Sequence, residues 1–384
     1  MQPVRIMSIF GTRPEAIKMA SVVKELEKKE HIHSIVCVTA QHRHMLDQAL
    51  SVFDISPDYD LDIMESNQVL SDILCRVVKG LEDIFKRERP DLALVHGDTS
   101  TTLASAVAAF YQQIKVGHVE AGLRSYDKYQ PFPEEMNRLL TSRISDLHFA
   151  PTTRAKENLL RENITADSIF VTGNTVIDSL SVTISDGYKF KTPILNTIDF
   201  KEKRVIAMTA HRRENLGKPL EEILCAVRDV INNYPDTELV YAVHSNPAVQ
   251  EPAQRILAGI KRIHLVDPLD LDDMHNLLDR SYLILTDSGG IQEEAPSLDK
   301  PVIVLRNVTE RPEGLTAGTL KVSGNSYDGV YKTTAGLLAN KAEYDIMALA
   351  RNPFGDGNAA KRIVNAILYS YGVVSERPED FLPY

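Results

Sequence analysis

Three acids stand just behind runs of apolar residues, where a strand would end and a ligand could be met. Asp98 follows "DLALVHG", Glu120 follows "KVGHV", and Glu134 lies in "QPFPEEMNR". Carboxylates in such positions can take and give protons as general acids and bases. Each also has a plain structural reading: Asp98 before "TSTTLASA" suits a helix N-cap, and Glu134 with Glu135 suits a first helical turn. Their company favours chemistry, because Arg124 and Arg138 share the region and two turns elsewhere look built for phosphate. In "IFGTRPEAIKM" an apolar strand runs into a helix that starts with Arg13 and Lys18, while Pro14 suits its first position. A helix N-terminus already carries about +0.5 of an elementary charge, so two cations there call for an anion between them. In "YLILTDSGGIQEEAPS" the pair Gly289-Gly290 lets a phosphate approach the backbone, and a carboxylate one turn later, Glu293 or Glu294, suits ribose hydroxyls. The plain alternative for both turns is solvated cations and a tight bend. A third strand end, "TAHRRENLG", holds His211 beside Arg212 and Arg213. A lone histidine there is more often structural, but next to two arginines it suits the stabilisation of a leaving phosphate.

These residues need a scaffold that brings strand ends together. Short β-branched runs alternate with helical patterns along the whole chain: "VRIMSIF", "HSIVCVT", "DLALVHG", "IKVGHVE" and "DLHFAP", then "RVIAMTA", "ELVYAVH", "RIHLVD", "YLILTDS" and "KPVIVL". Alternation of this kind predicts α/β architecture with two Rossmann-like, doubly wound parallel sheets, the break falling in "FVTGNTVID". A polar stretch around residues 186–203 reads as a loop early in the second domain. Ligands of open parallel sheets bind beyond the carboxyl ends of the strands, where the acids and turns stand. Neither turn is G-x-G-x-x-G or a P-loop, which disfavours a dinucleotide or a P-loop ATPase and leaves a nucleotide diphosphate held across two domains.

Composition agrees with a soluble globular protein of two domains. The 384 residues are 43% apolar, ample for two cores, and the net charge of -10 argues against a nucleic-acid or anionic-membrane partner. The opening "MQPVRIMSIFG" is too short and too interrupted for a signal peptide, and no run of 18 apolar residues occurs, so a cytoplasmic location is expected. The three cysteines are far apart with no C-x-x-C pair, which suggests neither a disulfide framework nor a zinc site; Cys37 reads as strand core.

The stretches "FGTRPEAIKM", "HGDTSTT", "HVEAGLRS", "PFPEEMNR", "FVTGNTVID", "TAHRRENLG", "DSGGIQEEAPSL" and "TERPEGLTAGT" recur in order over nearly the whole chain. Together they resemble the motif set of the bacterial non-hydrolysing UDP-N-acetylglucosamine 2-epimerases. The resemblance implies a glycosyltransferase-B-like fold with two Rossmann-like domains facing a cleft, and a homodimer. The expected bounds are 1–172 with a returning C-terminal helix at 360–384, and 173–359 for the nucleotide-binding domain. It implies catalytic roles for Asp98, Glu120, Glu134 and His211. It places UDP against Arg13, Lys18, Ser288, Gly289, Gly290 and Glu294, with UDP-N-acetylglucosamine and UDP as ligands and no cofactor or metal. In family members regulated by their substrate, a second nucleotide sugar sits near "TAQHR" and "HSNP"; Gln41 and His244 match that pattern, whereas His44 and Asn67 replace a common Gln and Arg. Ser21, Asp299 and Asn307-Val308 also depart from the usual motifs, but none falls on a proposed catalytic acid.

Chemistry favours the same reaction independently. The C2 proton of the sugar has no adjacent carbonyl, so inversion there needs transient oxidation or elimination, and no nicotinamide fingerprint is present. Elimination would break the C1–O bond, expel UDP and leave a 2-acetamidoglucal, to which UDP returns after protonation of the other face. The alternatives are a hydrolysing epimerase that releases N-acetylmannosamine and UDP, a glycosyltransferase on the same fold, and a nucleotide-sugar sensor without turnover.

Overall fold

The first apolar run becomes strand β1 (Val4–Phe10), buried at every position except Arg5. Burial on both faces is what a parallel strand between two helical layers requires, and it explains why the run is continuous rather than alternating. The computed structural model describes residues 2–40, 43–65 and 68–383, without the side chains of His44 and Met45. Of the residues expected at a second nucleotide site, Gln41, Asn67 and the side chain of His44 lie outside the described residues.

The chain forms two compact units, Met1–Ser179 with Gly355–Leu382, and Leu180–Phe354 with the last two residues. In the first, β1 pairs in parallel within a seven-stranded sheet with β2 (Ile32–Val38), β3 (Tyr59–Asp60), β4 (Leu92–His96), β5 (Lys115–Val119), β6 (Leu147–Ala150) and β7 (Ile169–Val171). Their order is β3-β2-β1-β4-β5-β6-β7. The second unit holds β8 (Arg204–Thr209), β9 (Thr237–Ala242), β10 (Ile263–Val266), β11 (Leu283–Thr286), β12 (Val302–Val304) and β13 (Leu320–Val322), ordered β10-β9-β8-β11-β12-β13 and again parallel. Both sheets are doubly wound. Strand order reverses between β1 and β4 in one and between β8 and β11 in the other, and a ligand crevice forms where such a reversal parts the connecting segments.

The sheets are wider than the apolar runs suggest. β3, β7 and β13 are two or three residues long, too short for any periodicity to show in sequence. The polar stretch after residue 184 is a loop with one 3-10 turn, Pro193–Thr197, pinned by buried Phe190 and Leu195. Cys37 lies fully buried in β2, beside Ile9 of β1.

Two helix starts differ from the sequence reading. The helix Arg13–Glu27 begins one residue early, so Pro14 takes its second position, and Thr12 caps it. The helix Ser100–Tyr111 is capped by Thr99, whose side chain accepts from Thr102 N, so Asp98 is no cap. The final helix, Ala359–Ser370, packs on Arg13–Glu27 within the first unit. Buried Asp178 accepts from the amides of Ala359 (3.2 Å) and Ala360 (2.8 Å), placing a carboxylate at that helix's N-terminus. Among the described residues no helix is long and apolar enough to cross a membrane.

Candidate active site

In the first unit the strand ends converge on a cluster of opposed charges. Gly11 follows β1, and no side chain fits there: a Cβ would lie 1.9 Å from Thr39 Oγ1. The next turn is set by Glu15, a buried acid whose Oε2 accepts from the amides of Gly11 (3.0 Å) and Thr12 (2.8 Å). Its Oε1 accepts from the hydroxyls of Thr99 (2.6 Å) and Thr102 (3.1 Å), so one carboxylate ties the turn after β1 to the turn after β4. This is the anion that the sequence reading overlooked at the helix start. Thr12-x-x-Glu15 is a capping box, and that spacing was visible. Arg13 stands at the first helical position, half-buried, and no acid among the described residues pairs with it.

Lys18, one turn further on, points to Glu120 and forms an ion pair with Oε1. Glu120 directly follows β5 in a left-handed conformation (φ 63°). Asn174 Nδ2 donates to the same oxygen at 2.8 Å, and the buried His96 ring lies 3.6 Å from the other. Burial raises the proton affinity of Glu120, but Lys18 and the Asn174 amide outweigh it and hold the carboxyl well below the usual range. Burial also keeps His96 neutral, lowering it to about 4. Breaking the Lys18–Glu120 pair from one side would leave a buried charge alone, a cost of about 3–5 kcal/mol.

Asp98, two residues beyond the neighbouring strand β4, is shifted the other way. Burial, with the negative charges of Glu120 and Glu134, pushes it up to about 6 although Arg138 (2.9 Å) and Lys18 pull it down. Asn137 Nδ2 holds the Asp98 carbonyl at 2.9 Å, and His118, buried in β5, bonds the Gly97 carbonyl at 2.7 Å, so the turn is fixed from both sides. Glu134 opens the helix Glu134–Ile144, on whose next turn Arg138 stands. Its neighbour Glu135 is wholly buried and accepts from the amides of Ser125 (3.0 Å) and Tyr126 (2.9 Å), a structural task. Arg124 turns away from the acids and grips Glu162 with two bonds, 2.7 and 2.8 Å.

In the second unit His211 follows β8 and faces the end of β11. Its Nδ1 lies 3.5 Å from Oδ1 of Asp287, a fully buried acid whose other oxygen accepts from His211 N (2.8 Å), Arg212 N (2.8 Å) and Asn215 Nδ2 (3.0 Å). The His211 ring stacks on His244 with centroids 5.3 Å apart. Burial, His244 and Arg212 lower its proton affinity against the pull of Asp287. Asp287 was missed in the sequence because "LTDSGG" drew attention to its glycines; its position directly after a strand was the available signal.

Ser288, Gly289 and Gly290 open the short helix Gly289–Glu294. Gly289 admits Arg311, whose guanidinium would lie 3.4 Å from a Cβ there and which pairs with buried Glu293. Glu294 stays partly exposed, with Oε2 3.5 Å from His275 Nε2. Arg311 therefore adds a cation to the glycine turn, and Glu293 is occupied while Glu294 is the carboxylate left facing outward. No group of three or more histidines, cysteines or acids among the described residues could hold a metal ion.

The family model described as UDP-N-acetylglucosamine 2-epimerase matches residues 24–368. The chain belongs to the UDP-N-acetylglucosamine 2-epimerase family. The Bacillus subtilis UDP-N-acetylglucosamine 2-epimerase is 53% identical over 381 residues, covering 99% of each chain. Among solved structures, the S. aureus MnaA–UDP complex superposes with a TM-score of 0.87 at 54% identity over 99% of this chain and all of that one. The Neisseria meningitidis UDP-GlcNAc 2-epimerase bound to UDP-GlcNAc superposes with a TM-score of 0.84 at 47% identity, covering 95% of this chain and all of that one. Family membership thus joins a pair of doubly wound parallel-sheet units of glycosyltransferase-B-like kind to the two clusters just described.

Proposed function

We propose that this family member interconverts UDP-N-acetylglucosamine and UDP-N-acetylmannosamine by elimination and re-addition of UDP, without hydrolysis. The observation that carries the reading is the divergence of two neighbouring carboxyls: Asp98 is pushed up to about 6 while Glu120 is held ionised. Titratable pairs driven apart in this way mark a division of proton-transfer labour. Asp98 would exchange the C2 proton near neutral pH, Glu120 would keep a fixed negative charge beside the sugar, and Glu134 would serve the protonation of the second face. General acid or base action of this kind contributes roughly 10²–10⁴ in rate.

The leaving group needs positive charge as the C1–O bond breaks and UDP departs. Arg13, Lys18, His211 and the Ser288-Gly289-Gly290 turn would supply N–H donors and cations suited to a diphosphate. Glu294 would bind the ribose hydroxyls. UDP bound to the S. aureus relative and UDP-GlcNAc bound to the Neisseria relative support this choice of ligand. The product is an activated amino sugar, so we assign the protein to cell-surface polysaccharide synthesis in the cytoplasm, acting as a homodimer.

The test is a reaction in D₂O followed by proton NMR. Deuterium should enter C2 of the product, a trace of 2-acetamidoglucal and UDP should escape, and free N-acetylmannosamine should not accumulate. Product formed at full rate with protium retained at C2 would refute elimination, and accumulating free amino sugar would point to the hydrolysing reaction.

A further inference from the structure

Behind Glu294 lies a buried polar pair that the proposed chemistry has not used. His275, in the helix Leu271–Arg280, is 1% exposed, with Nδ1 2.6 Å from Thr183 Oγ1 and Nε2 3.5 Å from Glu294 Oε2. Thr183 is buried as well. The short bond between Nδ1 and the Thr183 hydroxyl fixes the orientation of the ring and turns its Nε2 edge toward the carboxylate. The other carboxylate oxygen, Oε1, lies over Gly290, where a Cβ would approach it to 3.3 Å. The Glu294 carboxylate therefore lies between the Nε2 edge of the His275 ring and the bare backbone of the glycine turn.

We infer that Thr183 and His275 are positioning residues that orient the Glu294 carboxylate and so set selectivity for a ribose bearing its hydroxyls. The inference rests on the reading of Glu294 as the ribose-binding acid. Held by the ring, the carboxylate needs no reordering when the nucleotide arrives, and that preorganisation is what selectivity gains from a buried support.

The experiment is calorimetric titration of the full chain with UDP and with 2′,3′-dideoxyuridine diphosphate. Wild type should prefer UDP, and Glu294→Ala should abolish the preference. His275→Asn, which cannot reach the carboxylate, should weaken UDP by about tenfold and leave the dideoxy nucleotide unchanged. His275→Gln, whose amide reaches the Nε2 position, should keep most of the preference. Thr183→Val should lower it without touching the carboxylate, and it carries the test if the His275 variants fail to fold. Equal weakening of both nucleotides by His275→Asn and Thr183→Val, or no weakening of either, would overturn the inference. If Glu294→Ala retains the full preference, the ribose reading of Glu294 is what fails, and the relay falls with it.

Discussion

Asp98 and Glu120 follow adjacent strands, yet their surroundings pull their proton affinities in opposite directions. Arg138 is the cation that restrains Asp98, so Arg138→Gln should drive Asp98 higher still. The limb of the kcat/KM profile near pH 6 should move to higher pH in that variant, measured across pH 5 to 9 (roughly the span over which the group titrates). Stability gives an independent reading. A carboxyl raised from 3.8 to about 6 binds more protons in the native than in the unfolded state across that window. Its contribution to stability is present below the lower value and lost as pH rises through the upper one. Asp98→Asn should accordingly be more stable than wild type at neutral pH, by about 1–3 kcal/mol, with the gap closing in acid, as urea unfolding would show. The same variant should lose about 10²–10⁴ in turnover. Sequence could place both acids at strand ends, since apolar runs mark where strands stop. It could not show that Lys18 faces Glu120 or that Arg124 faces Glu162, because partners 102 and 38 residues apart are joined only by folding.

At the level of single elements, the turn after β1 is held by one carboxylate with four donors. Glu15→Gln replaces an acceptor oxygen by an amide that faces donors, so the loss should be about 2–3 kcal/mol, against about 1 kcal/mol for Thr12→Ala. Thermal or urea unfolding checks both, and the larger loss should fall on Glu15. The capping box was legible as Thr-x-x-Glu, whereas the link from Glu15 to Thr99 and Thr102 was not, because it crosses from one strand end to the next. Likewise "QEE" gave no way to tell Glu293 from Glu294. Arg311, 18 residues beyond Glu293, separates them by pairing with the first.

For the molecule as a whole, the first unit is assembled from both ends of the chain. Residues 355–382 add the helix Ala359–Ser370, seated on Asp178, and a tail in which Phe381 N bonds Val171 O at 2.7 Å and Asp380 bonds Lys156 at 2.6 Å. Asp178→Ala should remove two amide partners and cost about 1–3 kcal/mol. A chain ended after Phe354 should lose the cooperative unfolding of the first unit while the second keeps its own transition, since two units need not unfold as one. Circular dichroism melts of the two chains would show it. The ten long apolar runs made the paired-sheet plan readable in advance; the short edge strands escaped because two or three residues carry no pattern.

The return of residues 355–382 also sets an order of events during synthesis. Chains emerge from the ribosome N-terminus first and domains usually fold as they appear. Here the unit that begins first lacks its closing helix until Leu180–Phe354 has been made, whereas that stretch is continuous and can fold while its neighbour waits. During that interval the apolar face of the helix Arg13–Glu27 against which Ala359–Ser370 later packs stands open to the cell. A nascent-chain cross-linking experiment should find chaperones on that face until residues 355–382 clear the exit tunnel, and not afterwards.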